Sequence, residues 1–262
     1  MSVNAIFLLL LAAAQQSAET EGVRVSLRKQ AFFSQDVLDG VRGGKPAEIG
    51  RIVFPKPGWF LNGEVAPAEH SLWMATAGKE LRLSLRNAAG EEVGGDAFWV
   101  EPPTASLPSA ETSAADGAVV VTLRCDELRL PFRYVPREAV EAAAKGVDAR
   151  SGRIVIRSDL GNPAMAEALA KELDRSIDAH AALLERPAPK GPFRIHLFGS
   201  EKTYQAVDKL VTGGRFQRNG AFASSLTMQS YVWNVPRPEA GLTLRTRTVI
   251  LQASVAIKIP WL

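Results

Sequence analysis

Side chains able to do chemistry are few in this chain, and their spacing is the first thing to weigh. Its three histidines, His70, His180 and His196, are scattered, so no two stand one helical turn apart as a local metal-ligand pair. Cys125 is the single cysteine, which excludes an intramolecular disulfide and a zinc-knuckle spacing. It lies in the alternating run Val119–Leu130, where a small buried apolar residue is a better reading than a reactive thiol. Asp174 and Asp178, like Glu167 and Lys171, stand four residues apart. That is helix-surface spacing, and they read as solvated faces rather than as an acid and a base. The chain has no Gly-x-x-x-x-Gly-Lys-Ser/Thr or Gly-x-Gly-x-x-Gly loop to cradle a phosphate, and no Gly-x-Ser-x-Gly elbow to present a nucleophile. No catalytic residue, cofactor-binding residue or metal ligand is assigned from these patterns, and the chain as it stands does not read as an enzyme.

The elements that would position any site fall into two groups. From about residue 22 to 135, Val23–Leu27, Arg51–Phe54, Leu81–Leu85 and Val119–Leu130 alternate apolar and polar residues, the period of a half-buried strand. Turn-rich stretches separate them, and Glu101–Gly117, rich in Pro, Ser, Ala and Thr, reads as a long exposed loop. This spacing predicts an antiparallel β-sandwich-like module. The joint falls at Tyr134–Pro136, and residues 136–262 form a second, α/β module, so the fold class is α+β.

In the second module Pro136–Lys145 suits a short helix and Arg153–Arg157 a strand. Asn162-Pro163 caps a long helix reaching Glu185. Its stripe is Met165, Leu169, Leu173, Ile177 and Leu184, flanked by Ala166, Ala170 and Ala181. His180 sits at the edge of that stripe as a packed or partly exposed side chain rather than a ligand. Phe193–Phe198 is the next strand, with His196 on the side opposite Phe193, Ile195 and Leu197. Ser200 caps a third helix on which Tyr204, Val207, Leu210 and Val211 share a face, and Gly213-Gly214 ends it. Gly220–Asn234, with Phe222, Tyr231 and Trp233, most simply forms a hairpin.

Composition sets the compartment. At 262 residues, 46% hydrophobic and 23% charged, the chain can bury a core without staples. Residues 19–135 hold 13 Lys/Arg against 16 Asp/Glu, and residues 136–262 hold 18 against 12, giving the net +3. No dense basic block accompanies that excess, so no nucleic-acid partner is implied. Ala5–Ala14 is an uncharged apolar run, and Ala12 and Ala14 are the small residues that a signal peptidase requires. The run is too short to span a membrane, which takes roughly 20 apolar residues. Residues 1–14 are therefore read as a signal peptide, and a buried N-terminal strand or helix is the alternative. The chain is expected to be exported, periplasmic or extracellular. No second apolar stretch approaches membrane length, so the mature chain is expected to be soluble.

One order of elements resembles a known family. Strand Arg153–Arg157, helix Pro163–Glu185, then Phe193-Arg-Ile-His-Leu-Phe-Gly-Ser-Glu-Lys-Thr-Tyr204 and the hairpin ending Tyr231-Val-Trp-Asn234 looks like the front half of the catalytic domain of exported gluzincin-type, peptidase-MA-like zinc metallopeptidases. The resemblance covers about 110 residues, from Arg153 onward. It implies that the next helix would carry His-Glu-x-x-His, with two zinc ligands and a base. In Thr246–Ala256 the corresponding positions hold Gln252, Ala253 and Ala256, none of which can replace those groups. Thr, Val and Ile content there reads locally as strand, and Pro260 stands where a helix would continue. The resemblance thus implies an inactive or truncated metallopeptidase-like protein with no cofactor, its reading frame cut or shifted near Leu251. The alternative is a non-enzymatic envelope module that binds a protein or glycan through its β-domain or through the Tyr231/Trp233 hairpin.

Overall fold

A computed structural model describes residues 17–28, 45–77, 80–99, 109–125, 128–183, 185, 187–188 and 190–233. The chain is α+β with mostly antiparallel sheets, and it divides into two compact units, Met1–Arg137 and Glu138–Leu262. The signal-peptide segment 1–14, Leu184 and residues 235–262, with Gln252, Ala253 and Ala256, lie outside the described residues.

The first unit holds two antiparallel sheets. One runs β1 (Ser17–Thr20), β2 (Val23–Leu27), β3 (Ala47–Val53), β6 (Glu69–Ala77), β7 (Glu80–Arg86), β8 (Glu92–Trp99). The other runs β5 (Gly63–Val65), β4 (Gly58–Phe60), β11 (Leu128–Pro136), β10 (Ala118–Cys125), β9 (Ser109–Ala115). Period-two alternation explains the packing: Val23, Val25 and Leu27 are buried while Arg24 and Ser26 are exposed. They join Ile52, Leu72, Leu81, Leu83 and Leu85 of the same sheet, and Phe60, Val119, Val121, Phe132 and Tyr134 of the other, in one core. The buried Tyr134 hydroxyl donates to the Lys56 carbonyl at 2.6 Å. The sheet margins meet as well: Thr20 and Thr112 hydroxyls lie 2.8 Å apart, and Gly63 rests directly on the Val93 carbonyl and Gly94.

Two expectations change here. Val119–Leu130 is not one strand; β10 and β11 form a hairpin in which Cys125 faces Leu128 and Val119 faces Tyr134. Its two arms carry the same apolar alternation, which hides the reversal. Within the expected loop 101–117, Ser109–Ala115 is a strand paired along β10, from Ala118↔Ala115 to Arg124↔Ser109. Pairing with an apolar neighbour, rather than its own Ser/Ala/Glu/Thr composition, orders that edge strand.

Helix α1 (Arg137–Ala143) starts at the boundary, and the second unit carries one sheet ordered β12 (Val147–Ser151), β13 (Ile154–Ser158), β14 (Phe193–Phe198), β16 (Gln229–Trp233), β15 (Ala221–Ser224). β13, β14 and β16 are parallel, and the two outer strands are antiparallel to their neighbours. Helix α2 (Pro163–Leu183) joins β13 to β14 and buries Ala166, Leu169, Ala170, Leu173 and Ile177 against Ile154, Ile156, Phe193, Ile195 and Leu197. Helix α3 (Glu201–Thr212) follows β14; Ser200 Oγ accepts from Thr203 N–H at its start, and Gly213 ends it at φ 78°. Tyr204, Val207, Leu210 and Val211 are its buried face. No helix among the described residues is long and apolar enough to cross a membrane.

Candidate functional site

The sheet of the second unit has two chemically different faces. Phe193, Ile195 and Leu197 of β14 turn toward α2, so Arg194, His196 and Phe198 take the other side. Strand register then builds a row across all five strands on that side: Asp148, Arg157, His196, Tyr231, Phe222. Its β12–β13 end is an ion pair, with Arg157 Nε donating to Asp148 Oδ1 at 2.7 Å. Its other end is aromatic: Tyr231 stacks on His196 (4.9 Å, 10°) and on Phe222 (4.7 Å, 22°). Phe216 extends the stack over Phe222, and Tyr204 of α3 meets Phe198 and Phe222 edge-on.

Polar groups inside this layer bond to one another. His196 Nε2 lies 2.6 Å from Gln229 Oε1. An amide oxygen only accepts, so the proton sits on Nε2 and Nδ1 keeps a lone pair. The Tyr231 hydroxyl donates to the same Gln229 oxygen at 3.4 Å and lies 2.9 Å from Thr227 Oγ1. Ser224 Oγ accepts from Thr227 N–H. His196 is 2% exposed, and its Nδ1 has no hydrogen-bond partner among the described residues. Burial, seconded by Arg194 and Arg157 and opposed by the bond to Gln229, pulls the imidazole down to about 4. Tyr231, fully buried, is held above the usual tyrosine range by desolvation. Near neutral pH the cluster therefore holds a neutral imidazole and a neutral phenol, both shut away from solvent.

The remaining chemistry-bearing side chains disperse. His70 is buried in the first unit, with Nε2 3.1 Å from the Ala66 carbonyl and its ring against Phe54. His180 is exposed on α2, its Nδ1 2.8 Å from the Ser176 carbonyl. The Asp174/Asp178 pair is not a free solvated face: both carboxylates hold Arg153 at the β12–β13 turn, each at 2.8 Å. Arg153 keeps the Asp174 carboxyl below the usual carboxylate range, chiefly through the side-chain hydrogen bond. The hairpin is formed by β15 and β16, but Tyr231 is buried within it and offers no outer binding surface. No group of three or more His, Cys, Asp or Glu side chains able to hold a metal is present among the described residues.

Alternation along β14 is enough to place His196 on its correct side, but it does not point to Gln229 and Thr227. The available signal was period two in Gln229-Ser-Tyr-Val-Trp233, which aligns Gln229 and Tyr231 on one face. Only the register of β14 with β16 brings them to His196, which Gln229 follows by 33 residues in sequence. No family model, curated protein or solved structure matches this chain.

Proposed function

We propose that this chain is an exported protein that works by binding rather than by hydrolysis, built as a β-sandwich-like unit followed by a metallopeptidase-like α/β unit without a hydrolytic centre. One observation carries the reading of the second unit. Its elements follow the order strand, long helix, strand, Ser-capped helix, hairpin that the resemblance requires, while the next positions hold Gln252, Ala253 and Ala256 in place of two histidines and a glutamate. The Ala5–Ala14 run and the Ala12/Ala14 pair support export, and cleavage after Ala14 would leave a mature chain beginning at Gln15.

The scaffold reading is tested by restoring the ligands. The full-length triple variant Q252H/A253E/A256H regains two of the three protein ligands that a catalytic zinc site uses, so it should bind zinc measurably more tightly than the parent in a metal titration. Equal zinc affinity in the two proteins would sink the metallopeptidase-like alignment.

The β-rich unit supports a second reading, in which the chain is a glycan- or protein-binding envelope module. Trp73 lies on the face of its sheet opposite the core, half-buried, in the cross-strand row Glu48, Trp73, Ser84, Gly95. Arg86 stacks over its ring at 4.5 Å. An aromatic ring rimmed by charge on an open sheet face suits a polar planar ligand. Loss of glycan-array or pull-down binding in W73A would favour this surface.

A further inference from the structure

The row through His196 places a buried imidazole in an environment with almost no accommodation for a proton. Arg157 stands beside it on β13 and Arg194 two residues before it on the same face of β14. Asp148 on β12 is the one carboxylate in the row, and it is engaged by Arg157. From β16 come Tyr231 and Gln229, from β15 the Phe222 ring and the Ser224 hydroxyl, and none of them is ionised near neutral pH. On α3 the buried Asp208 is occupied by Thr212 Oγ1 and the Phe216 N–H. Nδ1, which has no hydrogen-bond partner among the described residues, is thus the atom that must take any added proton, and it would become a buried donor with no acceptor among them.

We propose that the His196 row is an acid-sensitive latch: neutral His196 keeps the ring layer of the second unit closed, and a proton on Nδ1 opens it. The opening is directional. The α2 face is an apolar core of Ile, Leu, Val, Phe and Ala, which does not titrate. The opposite layer is built from His196, Tyr231, Phe222, Phe198 and Tyr204, so loss of the histidine's stacking loosens β16, β15 and α3 together.

The sign follows from linkage. An imidazole that resists protonation when buried, at about 4, and is free to protonate when exposed, near 6.5, favours the open state as pH falls. The closed state has its full advantage above about pH 6.5, loses it progressively toward about pH 4, and loses no more below that.

Hydrogen exchange of the full chain, corrected for the intrinsic pH dependence of exchange, tests the latch. Between pH 7.5 and 4.5, protection of α3 and β15–β16 should fall by about two orders of magnitude. Protection of α2 should fall much less. In H196Q, which can still bond Gln229 but cannot be protonated, the drop should vanish. R194Q removes one neighbouring cation and should make the drop smaller. Unchanged protection of α3 in the parent, or the same drop in H196Q, would overturn the proposal. Should H196Q fail to fold, an undiminished drop in R194Q overturns it equally.

Discussion

Arg153 shows how one side chain can hold a fold that short-range patterns leave open. Its backbone N–H and Nε both donate to Asp174 Oδ1, its Nη2 donates to the Asp174 carbonyl, and a further contact reaches Asp178. The guanidinium fork therefore ties the β12–β13 turn to the middle of α2. With the charged side chains partly exposed, R153A should lower the stability of the second unit by about 1–2 kcal/mol in a denaturant titration, and R153K should recover only part of it. Because Asp174 is held below its usual range, this contribution is present above about pH 4 and disappears as pH falls through the folded-state value. Sequence spacing correctly placed Asp174 and Asp178 together on a helix surface but could not supply Arg153, which lies 21 residues upstream of Asp174.

Among the elements, those with internal signals were legible. The apolar stripe of α2 and the capped ends of α3 are written in consecutive residues; Leu169, Leu173 and Ile177 of that stripe are buried with the flanking Ala166 and Ala170, while Met165 is half-buried. Ser200 is the local device that starts α3, so S200A should cost about 1 kcal/mol, read from the thermal transition. Strands fared worse where order comes from a neighbour. β5 is three residues long, β9 is Ser109-Ala-Glu-Thr-Ser-Ala-Ala115, and β12 exposes Val147, so none carries an apolar alternation of its own. The contact of Gly63 with Val93 and Gly94 was equally invisible. A methyl group there would run into the Val93 carbonyl, so G63A should destabilise the first unit by about 1–3 kcal/mol by chemical denaturation. No loss in G63A would mean that the two backbones do not approach so closely.

At the scale of the molecule, two cores imply two cooperative units. One is built from both sheets of residues 17–137, the other from the sheet and helices of residues 138–233. Two calorimetric transitions are expected, with G63A lowering one and R153A the other; a single transition shifted by both variants would contradict that division. The proposed function makes its own demand on the whole chain, that it bind without hydrolysing. The most direct test is to purify the full chain, offer it zinc, remove the excess, and measure bound metal alongside hydrolysis of an unstructured protein such as casein. A scaffold that only binds should retain well under one zinc per chain and show no hydrolysis that a chelator suppresses. One tightly bound zinc together with chelator-sensitive cleavage would contradict it.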